Sequence, residues 1–166
     1  MHRRTPLGLA ALPLLAARRV LALDLPEGPL VLSLSGRLRQ PSRGAVAALD
    51  MAMLERLPQA PFSTRTPWYA QARRFAGPLL RDSPSAAGSH ATLLAAAALN
   101  GYRVDLPADD AIRHDLLVAR LLDDKPMTVR DKWPLFIIYP FDPHASLRNA
   151  LYYSRCVWQL NAIDLQ

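Results

Sequence analysis

Apolar positions in this chain come in short runs that break before a helical period can build up. Leu30-Val31-Leu32-Ser33-Leu34-Ser35-Gly36 ends in alternation and stops at glycine, which predicts a half-buried strand. Asp50 is placed to cap a short helix through Leu57, with Met51, Leu54 and Leu57 at helical spacing and Pro58 after it. Phe62 to Thr66 is β-prone and closes at Pro67. Pro78 predicts the first turn of a helix running to about Ala87, interrupted by Pro84 and stopped by Gly88. Thr92 to Leu99 is rich in alanine, a helix former, yet the run is short and Asn100-Gly101 follows at once. It is read as a buried strand turning back into Tyr102-Arg103-Val104. Pro107 to Ile112 predicts one helical turn. Leu116 to Leu122 and Met127 to Val129 flank Asp123-Asp124-Lys125-Pro126, a hairpin-like turn. Leu135 to Tyr139 is the strongest strand, and Val157 to Leu165 the last. These short elements, with 15 prolines, predict an irregular α+β domain and exclude a helical bundle.

The amino terminus changes the charge picture. Met1-His2-Arg3-Arg4 is basic, and Thr5 to Ala17 is uncharged and mostly apolar. That core is too short for a bilayer, which needs about 20 residues, and suits a secretory signal peptide. A cut after Ala22 gives a signal segment 1–22 and a domain over 23–166. A cut after Ala17 and retention as an anchor are the alternatives. Arg3-Arg4 raises twin-arginine export, but the residues after it match that pattern poorly, so general secretion is the first expectation. The full chain carries +6. Without Arg3, Arg4, Arg18 and Arg19, 16 basic residues face 14 acidic ones, and no basic stripe with interleaved aromatics points to nucleic acid. A single cysteine, Cys156, excludes an internal disulfide, and its setting reads as buried and structural.

Several segments, in order, resemble the small secreted members of the oxidoreductase molybdopterin-binding family, which has the sulfite oxidase fold. They are Phe75-Ala76-Gly77-Pro78-Leu79-Leu80-Arg81-Asp82, Ala98-Leu99-Asn100-Gly101-Tyr102 with Pro107 behind it, and Lys125-Pro126-Met127. Arg130-Asp131-Lys132-Trp133-Pro134-Leu135-Phe136-Ile137-Ile138-Tyr139-Pro140 and Val157-Trp158-Gln159-Leu160 complete the set. The resemblance covers Leu30 to Leu165. It implies a compact mixed-sheet α+β fold with short helices, and a periplasmic or secreted location. Full members hold molybdenum on a pterin, with one cysteine thiolate as ligand, since such a soft centre needs a polarizable anionic sulfur. Here the comparable stretch is Ser63-Thr64-Arg65-Thr66-Pro67-Trp68, without a thiol. Trp133 also stands where small members often have glycine.

The resemblance directs attention to particular residues. Thr64, Arg65, Thr66 and Trp68 are expected to line an emptied pocket, Arg65 as anion anchor and Trp68 as apolar wall; the plainer reading is edge-strand chemistry. Arg130 and Lys132 border the implied pterin pocket and suit a phosphate or carboxylate. The plainer reading is a solvated loop with Arg130 paired to Asp131. Asn100 is read first as a turn residue. For Tyr102, donation to an oxyanion and a turn role stay equally open. No metal ligand set is expected, since His90, His114 and His144 lack zinc-like spacing.

Three functions follow in order. The first is an exported binding module for a small anion, a cofactor fragment or a membrane-bound signalling partner. The second is a molybdopterin-dependent oxidoreductase acting on a small oxyanion or sulfoxide, with Tyr102 and Arg65 as catalytic residues and a membrane-bound electron-transfer partner. The third is a haem module, with one histidine and Met51, Met53 or Met127 as axial ligands.

Overall fold

A computed structural model of the chain describes residues 25–38, 46–83, 91–128 and 133–166. The signal segment 1–22, Arg130, Lys132 and His90 lie outside the described residues. The elements are β1 (Leu30–Gly36), β2 (Ala47–Asp50), α1 (Met51–Arg56), β3 (Gln59–Thr66), β4 (Tyr69–Pro78) and β5 (Leu93–Ala98). Then come β6 (Arg103–Pro107), α2 (Ala108–Arg113), β7 (Leu117–Ala119), β8 (Leu121–Leu122) and β9 (Lys125–Pro126). The chain ends with β10 (Phe136–Ile138), α3 (Ala150–Ser154), β11 (Val157–Trp158) and β12 (Leu160–Leu165). Mixed sheets and few short helices make this an α+β fold, as the sequence predicted.

Three sheets share one core. The largest has the order β2-β1-β12-β5-β6, with β1 and β12 parallel and the other neighbours antiparallel. The alternation in β1 sends Leu32 and Leu34 inward, and Leu34 lies opposite the buried Ile163 of β12. The second sheet is β11-β10-β7, and the third β3-β4-β8-β9. The β10 strand is buried throughout, which explains its unbroken apolar sequence. Two strands bind the sheets together. At its end β4 leaves the third sheet and runs against β7, where the Leu80 N–H donates to the Leu116 carbonyl at 2.7 Å. Gly77 permits that crossing, because a Cβ there would stand 2.2 Å from the Val118 carbonyl oxygen. The last stretch is expected as one strand, but Gln159, at φ 56°, divides it into β11 and β12 in different sheets.

Other expectations are met or corrected by local chemistry. The Asp50 carboxylate caps α1, accepting from the Met53 N–H at 2.8 Å. The turn between β5 and β6 forms where Asn100-Gly101 predicts it, with Gly101 at φ 86° and its N–H donating to the Ala98 carbonyl. One helical turn follows Pro107, as expected. The helix expected from Pro78 is not found over Pro78–Ser83, and its expected continuation over 84–87 lies outside the described residues. Pro78 ends β4 opposite Gln59, and Leu80–Asp82 makes only a 3₁₀ turn, because pairing of Pro78 with β3 and of Leu79 and Leu80 with the start of β7 holds the chain extended up to that turn. The hairpin turn is tighter than predicted. Asp123 and Asp124, at φ 48° and 62°, form the tip alone, and Lys125 and Pro126 join the ladder.

Candidate functional site

Strand β3 is an edge strand of its sheet, and its alternation divides the expected site residues between two environments. Thr64 is fully buried. Its hydroxyl accepts from the Asp142 N–H at 3.0 Å and so fixes the turn after β10. Arg65 points out, and the guanidinium has no hydrogen-bond or ion-pair partner among the described residues. Thr66 is largely buried, and its hydroxyl accepts from the Trp68 N–H at 3.4 Å.

Arg65, Thr66 and Pro67 form one side of a recess of about 260 Å³, closed by Asp142, Arg148 and Tyr153. Arg148 is held rigidly. Its Nε donates to the Phe141 carbonyl at 2.9 Å, and an Nη donates to the Asp142 carbonyl at 2.8 Å and lies 3.5 Å from the Asp142 carboxylate. Tyr153 is positioned by rings: Phe141 lies 4.9 Å away and Trp68 6.1 Å, centroid to centroid. Trp68 does not line the recess. Its indole is half-buried, packed edge-on to Phe136 and Trp158 as well as Tyr153, and so supports the recess from behind. Two guanidiniums facing one carboxylate leave the recess with a net positive charge. One cation is fixed and the other is free to form a bidentate pair, an arrangement suited to a small anion.

The remaining expected residues do not join this recess. Asn100 and Tyr102 lie at the β5–β6 turn of the five-stranded sheet. The Asn100 side-chain oxygen accepts from the Tyr102 N–H at 3.0 Å, the turn role expected of it. The Tyr102 hydroxyl donates to the Ser154 carbonyl at the end of α3. Met53 and Met127 are core residues. Sequence reasoning missed Asp142, Arg148 and Tyr153. Their one local signal was Asn149, which caps α3 by accepting from the Leu151 and Tyr152 N–H groups and so sets the frame for Arg148 and Tyr153 on either side.

A second polar cluster is interior. The Asp110 carboxylate accepts from the Tyr139 hydroxyl at 2.7 Å and from Arg155 at 2.8 Å. Burial, reinforced by Asp110, drives the Tyr139 hydroxyl far above the usual phenol range. Cys156 is 3% exposed, as its setting predicted, and burial pushes its thiol up to about 12, so it is neutral at ordinary pH. His114 and His144, thirty positions apart, bring their rings to 6.0 Å. Among the described residues no group of three or more histidine, cysteine or acidic side chains gathers to hold a metal, and no helix is long and apolar enough to cross a membrane.

No protein-family model matches this sequence, and no curated protein matches it. Among solved structures, the crystal structure of the sulfane dehydrogenase SoxCD from Paracoccus pantotrophus is similar, with a TM-score of 0.62 and 12% sequence identity. The match covers 87% of this chain and 40% of that chain, so this chain spans less than half of its neighbour's length. At that identity the likeness shows a shared fold and nothing of the chemistry.

Proposed function

We propose that this protein is an exported domain of the sulfite oxidase fold that has exchanged metal ligation for anion binding, with the recess at Arg65 as its site. The carrying observation is that Arg65 has no partner among the described residues, beside an Arg148 already fixed by backbone carbonyls. Thr66, Pro67 and Tyr153 shape the recess. Arg130 and Lys132, Asn100 and Tyr102 remain secondary candidates, the first two by resemblance alone.

The donor set does not fit thiolate-ligated molybdenum. The segment comparable to the metal-binding loop offers Thr64 and Thr66, whose hydroxyls are engaged with the Asp142 and Trp68 N–H groups. The only thiol, Cys156, is buried and neutral. No reaction step is therefore assigned to a molybdenum centre.

The test is calorimetric titration with sulfate at low ionic strength. One site per chain is expected, and Arg65→Ala should weaken it at least about tenfold, the scale of one lost charge-assisted contact. Binding unchanged in Arg65→Ala removes this site. Near one molybdenum per chain, in protein from a host that makes and inserts the cofactor, would replace the binding reading with the oxidoreductase one.

A further inference from the structure

His114 and His144 are the two histidines among the described residues, and the fold brings their side chains together. His114 ends α2, where its backbone N–H donates to the Asp110 carbonyl at 3.1 Å. Its half-buried ring is walled by Tyr139 and Tyr152, with centroids 6.3 and 5.9 Å away. Those walls are themselves fixed. The Tyr139 hydroxyl donates to Asp110, and the Arg155 guanidinium, paired to Asp110, lies 5.4 Å from the centre of the Tyr152 ring. His144 stands exposed in the turn after β10. Its carbonyl accepts from the N–H of the buried Leu147 at 3.0 Å, which anchors that turn.

Two observations bear on what this pair does. The first is distance: the ring centroids are 6.0 Å apart, with 65° between the ring planes. Two imidazoles sharing one ion, each nitrogen about 2.0–2.1 Å from it, set their ring centres about 5–6 Å apart for ligand angles from about tetrahedral to about 140°. The second is that neither imidazole makes a hydrogen bond or an ion pair among the described residues, so each keeps a nitrogen lone pair for a ligand. Nearby guanidiniums do not oppose a cation, since Arg155 is paired with Asp110 at 2.8 Å and Arg148 faces Asp142 at 3.5 Å. Spacing along the chain hides this pair, because thirty positions and a change of element separate two side chains that meet in space.

We propose that His114 and His144 form a site for a divalent transition-metal ion of the zinc class, with one nitrogen from each ring. Rotation of the exposed His144 side chain presents either of its nitrogens to the gap and brings the rings to the tetrahedral separation. Imidazole selects borderline ions such as zinc, copper and nickel over magnesium and calcium, which take oxygen ligands. Two protein ligands leave positions open to water, unlike the four of a closed structural site. The pair shares no residue with the anion recess, so each site stands or falls without the other.

Titration of the untagged protein with zinc, followed by NMR of its four histidine side chains, tests the pair directly. The signals are assigned by substituting each histidine in turn. The His114 and His144 rings should shift together and saturate with one shared binding constant, and a large excess of magnesium should not displace the zinc. Zinc held at His2 or His90 follows a constant of its own and does not enter the reading. His144→Ala, at an exposed position, should weaken zinc binding at His114 at least about tenfold, because the second contact is made within one molecule. Ring signals of His114 and His144 that follow different constants, or do not move, overturn the site. An unchanged constant at His114 in His144→Ala overturns it as well.

Discussion

Tyr139 and Asp110 show how one buried contact is over-determined. The Asp110 carboxylate takes a hydrogen bond from Tyr139 and another from Arg155, and Tyr139 itself is fully buried. Removing the hydroxyl leaves the carboxylate paired with Arg155. Tyr139→Phe is therefore expected to cost about 1.5–3 kcal/mol, the net worth of a hydrogen bond to a charged group. Asp110→Ala strands a buried phenol and a largely buried guanidinium together and should cost about 3–5 kcal/mol. Urea unfolding of the two variants checks the order: equal losses would mean that Arg155 contributes nothing to the cluster. At this scale the sequence was partly legible. It marked Cys156 as buried, which it is, and it singled out Arg65, which stands exposed on β3. It did not show that Thr64 faces inward, because the parity of β3 depends on where pairing with β4 begins, and no apolar alternation marks that register.

Among the elements, legibility followed how completely each segment's own pattern set its state. β1 and β5 carry alternation or an apolar run bounded by glycine turns, and they form where expected. β4 carries neither signal. Its sequence, Tyr-Ala-Gln-Ala-Arg-Arg-Phe-Ala-Gly-Pro, is mostly exposed until Phe75, and its extended state comes from β3 on one side and β8 on the other. The last strand was legible as apolar but not as broken, since a single positive φ at Gln159 redirects it. The β4–β7 crossing depends on Gly77 in the same way. Gly77→Ala places a methyl group against the Val118 carbonyl and the Ala119 backbone, and backbone cannot rotate away. We expect a loss of about 2–3 kcal/mol, as for other overpacked interiors, with near-normal stability in Gly101→Asn. At Gly101 a Cβ meets nothing within 4 Å, and asparagine tolerates its φ of 86°. Equal destabilisation in the two variants would refute the crossing as the reason for Gly77.

For the molecule as a whole, the acid limit of stability follows from three carboxylates in separate regions. Asp50 is held below its ordinary value of 3.8 by the N–H groups of Met53, Gly28 and Glu27. Asp123 is lowered chiefly by the Arg74 N–H and then by the Arg73 guanidinium, which tie the β8–β9 turn to β4. Asp164 is lowered by the Ser35 hydroxyl and then by Gln166, joining β12 to β1. A group with a lowered folded value binds its proton more readily when unfolded. Its contribution is complete above the unfolded value near 3.8 and is lost as pH falls from there towards the folded value. Because these contacts fix the start of α1, the third sheet and the parallel pair of the largest sheet, their loss acts on the entire fold. The melting temperature, followed by circular dichroism, should be nearly level from pH 7 to about 5 with respect to these groups and fall steeply below about 4. Asp50→Asn keeps a capping oxygen but removes the titrating group, so it should lower the melting temperature at pH 7 and reduce the acid slope. Asp164→Asn should reduce the slope by the same logic at the other end of the chain. An acid slope as steep in both variants as in the original protein would mean that other groups set the acid limit.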